Sequence, residues 1–265
     1  MLNAMTGIAS NERPAAAQVA EPVAMPWLAQ VVTLAVASLL VAGVLQHEAA
    51  SLVPSGAVLL LTAIPTLLAP LFLFGTLNRR RQLRGSVLGW ALVVLLLAGI
   101  ARLEFGVQLA WRPLALASLV GLGILMVSHR LATILAASLR GLGAGAAVAA
   151  DGSAWMVASL LWLAASTPLW LGPVADLGAR QEPGLPTLIL ACSPLAHLAA
   201  AAGHDVLRGE WFYGHSSLGS LQVDYPGVGV VLAAYVLLTV VLSLLLALSR
   251  RWSKRAAAAT AGSGA

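Results

Sequence analysis

The sequence predicts an all-α, polytopic membrane protein: six transmembrane helices, both termini cytoplasmic, and a long outer connection holding short re-entrant or interfacial helices. Three observations carry that reading. Hydrophobic residues make up 60% of the 265, and charged residues only 9%, where a soluble domain carries about a quarter charged. Mean hydropathy is +0.90, so lipid is the solvent that suits this surface. Several apolar runs also reach the ~20 residues that a helix needs to cross the hydrocarbon core.

The elements follow in order. Residues 1–26 form a cytoplasmic leader; Glu12 and Glu21 precede the first apolar run, unlike a secretory signal. Five spans are expected at 27–46, 56–77, 86–103, 153–172 and 228–249. A further span, 111–128, opens on Trp111-Arg112-Pro113, a proline suited to a first helical turn. The stretch 131–150 holds Arg140 and then GLGAGAA, which reads as an interfacial or cytoplasmic helix and a loop. Pro186 and Pro194 interrupt the apolar run 185–202 and predict a pair of short helices. The transmembrane domain is thus 27–249, with an outer connection at about 173–227, and 250–265 is a basic, disordered tail.

Charge placement sets the orientation. With the N-terminus inside, eleven of the fifteen Lys and Arg fall on the cytoplasmic side: Arg13 and those in NRRRQLRG, the 129–150 connection and RRWSKR. The isoelectric point near 10.3 then reflects orientation signals and lipid headgroup contacts, and nucleic acid is not an expected partner.

Candidate chemistry concentrates in GHDVLRGEWFYGHSSLGSLQVDYP, residues 203–226. His204, Asp205 and His215 are the candidate metal ligands, with Glu210 and His197 nearby, because such imidazole and carboxylate sets hold zinc or iron. The spacing matches neither HExxH nor HxxxH, and the alternative is an amphipathic outer helix that begins near His204 and Asp205. Trp211, Phe212 and Tyr213 then belong to the interfacial aromatic belt, and Ser216 and Ser217 to caps or turns. A bundle haem is disfavoured, because His47 and His129 fall on opposite membrane faces. The chain contains neither a G-x-S-x-G elbow nor a phosphate-binding G-x-x-x-x-G-K-[ST] loop. No catalytic site and no cofactor are expected. Pro65 and Pro70 predict a kinked or broken second span. The small residues in GLGIL (121–125) and AAST (164–167) predict close helix packing. Arg102 and Glu104 are expected to snorkel or pair.

A basic loop after span two and a long outer connection before the last span, with ILACSPLAHLAA followed by HDVLRGEWFYGHSSLG, form a layout that resembles the membrane subunit of ABC-2-type transporters. GTLNRRRQLRG carries the Gly-Thr-Leu of that family's coupling motif but no glutamate. The resemblance implies a permease in a bacterial cytoplasmic membrane, paired with itself or a relative and energised by a separate ABC ATPase. It further implies that Arg79, Arg80, Arg81 and Arg84 dock the partner and that 193–215 forms an outer gate. The alternatives from the residues themselves are a metal-binding or redox subunit using 203–226, or an assembly subunit without chemistry of its own.

Overall fold

A computed structural model describes residues 27–48, 54–74, 79–103, 107–174, 184–209, 212, 215–216, 218 and 223–262; the side chains of 42, 44–48, 79–82 and 253–262 fall outside that set. The described residues are all-helical. The helices are α1 (Trp27–Glu48), α2 (Pro54–Leu73), α3 (Arg79–Leu103), α4 (Trp111–Gly141), α5 (Ala146–Ala165), α6 (Thr167–Trp170), α7 (Leu185–Ala191), α8 (Pro194–Ala202) and α9 (Val228–Gly262). Five are long and apolar enough to cross a membrane, or six if the bent pair α7–α8 counts as one span; the apolar part of α1, Trp27–Val41, is shorter. These lengths and compositions are those of a multi-pass integral membrane protein.

Two helices form the middle of the bundle. α2 packs against α1, α3, α4, α5 and α8, and α4 packs against α2, α3, α5, α8 and α9. The apolar window of α2 is 78% buried, whereas that of α9 is only 17% buried, so α9 lies at the periphery with most of its surface open to lipid or another chain. Pro65 and Pro70 leave α2 as one helix. Proline removes an amide donor, and here threonine hydroxyls bond to the same stretch of backbone. Thr62 donates to the Val58 carbonyl at 2.9 Å and Thr66 to that of Thr62 at 2.6 Å. The Trp90 indole of α3 in turn donates to the Thr66 hydroxyl at 3.1 Å.

The small residues of GLGIL do allow close packing. A Cβ on Gly121 would stand 2.8 Å from the Trp90 ring and 2.9 Å from Thr66 Oγ1, and one on Gly123 would stand 2.9 Å from Tyr235 Cβ of α9. The two glycines therefore receive different neighbours on two faces of α4. At the other end of the core, Trp27 donates to the Gly85 carbonyl at 3.0 Å and Ser86 to that of Leu73 at 3.0 Å, tying α1 and α2 to the start of α3.

The stretch 131–150 holds a helix and a turn, as expected, but the helix is not a separate one. α4 runs unbroken through it to Gly141, the turn is confined to 142–145 with Gly143 at φ +94°, and α5 begins at Ala146. Arg140 does not stop the helix because its Nε donates to the Ala136 carbonyl at 2.9 Å. At 1.5 Å per residue, α4 is about 46 Å long against a core of about 30 Å, so one end stands beyond the hydrocarbon. α5 ends at Ala165 rather than running to 172. Near its other end, α3 places the Arg102 guanidinium 6.0 Å from the centroid of the Trp111 ring, a cation–π contact; Glu104 is outside the described residues.

Gly121→Val should cost about 1–3 kcal/mol by overpacking, read as a lower thermal midpoint in detergent. Gly99→Ala, with open space around the new Cβ, should instead leave the midpoint unchanged or raise it.

Candidate functional site

Two breaks in the helical run lie against each other. Pro168 has no amide proton for the Ala164 carbonyl, which accepts the Thr167 hydroxyl instead at 2.8 Å. The next carbonyl, Ala165, accepts the hydroxyl of Ser193 at 3.1 Å. Ser193 marks the second break, where α7 and α8 meet at 85°. It also caps α8 by accepting the Ala196 amide at 3.4 Å, ahead of Pro194 in the first turn. One side chain thus serves both breaks.

α8 is buried along most of its length. Leu198, Ala199, Ala201 and Ala202 are 3% exposed or less, and the helix packs on α2, α4, α5 and α9. Its histidine, His197, fills the geometry left by the break. Nε2 lies 3.1 Å from the Ala191 carbonyl, and Nδ1 lies 2.8 Å from the Tyr235 hydroxyl. A carbonyl only accepts, so Nε2 carries the proton; a neutral ring then accepts from Tyr235. This contact joins α8 to the last span beside Gly123. It links the bent pair, α4 and α9 at one point.

α8 ends on Gly203 at φ +66°, a left-handed cap in which the His204 amide donates to the Ala199 carbonyl at 3.0 Å. His204 and Asp205 therefore follow a helix end rather than opening a new helix. His204 Nδ1 shares a hydrogen bond with the Ser55 hydroxyl of α2 at 3.2 Å. Partial burial holds the pKa of this imidazole below its usual value, against an opposing pull from Asp205. Asp205 Oδ1 accepts the Arg208 amide at 3.3 Å and the Tyr225 hydroxyl at 3.1 Å, and Oδ2 meets Arg208 Nε at 3.2 Å. Tyr225 also accepts the Leu207 amide at 3.1 Å. Burial first, then Asp205, push its phenol up to about 12, opposed by the Leu207 hydrogen bond, so it remains a donor.

Beyond these polar ties lies a small second core. Ile189, Leu190, Ala196, Leu207, Phe212 and Leu218 are buried together. Phe212 is 5% exposed, so it packs inside the cap rather than in an interfacial belt. Ser216 donates to the Pro168 carbonyl at 2.7 Å and accepts the Leu218 amide at 3.3 Å, which returns the segment to the first break.

Of the three candidate metal ligands, His204 and Asp205 are engaged by Ser55, Tyr225 and Arg208, and His215 is exposed. Among the described residues, no group of three His, Cys, Asp or Glu stands close enough to hold a metal ion. Glu210, Trp211, Tyr213 and Ser217 lie outside the described residues. The side chains of Arg79, Arg80 and Arg81 likewise lie outside them, while Arg84 is exposed. Sequence reasoning missed the His197–Tyr235 pair. Its signal was available: a lone histidine in PLAHLAAAA needs a polar partner when buried, and Tyr235 is the tyrosine of the last span. Nothing local marked Ser55 as a partner of His204, 149 positions away.

His204 binds a proton less readily folded than unfolded. The stability it confers is therefore full above pH 6.5, its ordinary value, and falls as pH drops below that. The protection of the 203–209 amides against hydrogen exchange, after correction for the intrinsic pH dependence of exchange, should fall on acidification from pH 7 to 5, and His204→Gln should flatten that dependence. Comparisons of the whole chain find no matching family model, no matching curated protein and no matching solved structure.

Proposed function

We propose that this protein is the permease subunit of an ATP-driven, ABC-2-like transporter in a bacterial cytoplasmic membrane. In this reading α1–α5 and α9 are six crossings with both ends in the cytoplasm, and α7–α8 is a re-entrant hairpin on the outer face. The observation that carries the reading is the bent pair itself. It sits immediately before the last span, turns through 85° and packs against α2, α4, α5 and α9, where an outer gate would have to sit to sense movement of several spans.

The remaining parts then take roles. His197, Tyr235 and Ser193 join the gate to the spans that would move, and His204, Asp205 and Tyr225 fasten its outer edge. Arg79, Arg80, Arg81 and Arg84 dock a separate cytoplasmic ATPase. The exposed apolar surface of α9 serves lipid and a second copy of the chain or a relative. The alternative, a metal or redox subunit built on His204, Asp205 and His215, would require the first two to leave their present partners. The gate reading needs no such change.

Purification of the tagged chain from its native host in mild detergent should retain a stoichiometric ABC-type ATPase, identified by mass spectrometry. Replacing Arg79, Arg80, Arg81 and Arg84 together by Gln should lose most of it while the chain still inserts. Retention of a redox complex or a stoichiometric metal in place of the ATPase would overturn the proposal.

A further inference from the structure

Two polar groups on α4 are out of contact with solvent and have no hydrogen-bond partner among the described residues: His129 Nδ1 and Arg130 Nε. His129 is 7% exposed, and Arg130 is half-buried. The Nε–H of Arg130 has given up water there without gaining an acceptor, which costs free energy that a bound acceptor would restore. The contrast with Arg140 on the same helix is direct, since that Nε donates to the Ala136 carbonyl. No carboxylate pairs with Arg130 among the described residues.

The depth of the pair is informative. Arg130 lies 19 residues beyond Trp111, or about 28 Å along a straight helix, close to the ~30 Å thickness of the hydrocarbon core. With Trp111 at one interface, His129 and Arg130 reach the level of the opposite headgroups. The start of α3 comes near this end of α4 through α2. Phe74 meets the His129 ring edge-on at 5.4 Å, the adjacent Leu73 carbonyl accepts Ser86 of α3, and Arg84 is exposed in the turn of α3 just before it.

We propose that this end of α4 binds a phosphate group, with Arg130 and His129 as its donors, and that in a membrane the headgroup of an anionic phospholipid supplies it. Phosphate oxygens match the guanidinium fork and can accept from several donors at once. They are also the anions that a side chain at this depth meets, and basic sites between spans are known to hold such headgroups. The half-exposed side of Arg130 gives the headgroup a route in from the bilayer. The inference rests on membrane insertion alone and holds whether or not the chain is a permease.

The test is native mass spectrometry of the delipidated, purified chain with phosphatidylglycerol, phosphatidylcholine or inorganic phosphate added. Wild type should bind phosphatidylglycerol in preference to phosphatidylcholine, and Arg130→Gln should weaken that binding about tenfold, the scale of losing a hydrogen bond to a charged group. His129→Gln should weaken it less, and Arg140→Gln should leave it unchanged. If Arg130→Gln does not fold, Arg130→Lys keeps the charge, loses the fork, and should show an intermediate loss. Competition by millimolar inorganic phosphate would identify a phosphate site open to free anions as well as lipid. Equal binding of the two lipids, or full affinity in both Arg130 variants, would overturn the proposal.

Discussion

The hydrogen bond from Ser193 to the Ala165 carbonyl spans 3.1 Å and joins two places where the described chain stops being helical inside an apolar bundle. A bilayer offers no water to an orphaned carbonyl, so a break survives only where protein supplies the donor. The two breaks are supplied from within and from outside: Thr167 and His197 donate to carbonyls of their own breaks, Ser193 donates from one break to the other, and Ser216 donates from farther along the chain. The bent pair is thus held by a closed set of polar contacts in apolar surroundings. That arrangement favours a single geometry over a loose loop, because moving any one donor strands an acceptor.

α4 converts these local ties into a bundle-wide arrangement. Its two glycines admit Trp90 with Thr66 on one side and Tyr235 on the other, and it runs beside α8 for much of that helix's length. Tyr235 is shared between the Gly123 notch and the His197 ring, whose planes are nearly perpendicular at 81°. Any shift of α9 along α4 must therefore act on the bent pair through His197. The proposed gate would depend on this mechanical connection.

The sequence carried the architecture through simple signals. Apolar length located the long helices, and Pro186 and Pro194 located the interruption of 185–202, because a proline cannot continue a helix. Gly121 and Gly123 were legible as packing positions for the same reason that small residues always are in lipid. The extent of α4 was not legible: Arg140 looked like a span terminator, yet its Nε finds a carbonyl one turn back. The polar loop at 203–226 misled in a different way. Its histidines and acids form a set by composition, but His204 turns to Ser55 and Asp205 to Tyr225 and Arg208, partners that only the tertiary fold brings near. Phe212 likewise answered to a buried satellite core, which no periodicity in that stretch announced.

The account turns on α7–α8 entering and leaving by one face, which a labelling experiment decides. The only cysteine, Cys192, is exposed at the bend; it is replaced by serine, and single cysteines are placed at Gly184 and Arg208, before and after the pair. A membrane-impermeant maleimide applied to intact cells should label both positions from the outer side. Labelling of one position only from outside, with the other reached only after the cells are opened, would make the pair a crossing span, reverse the side of everything after it, and contradict the gate.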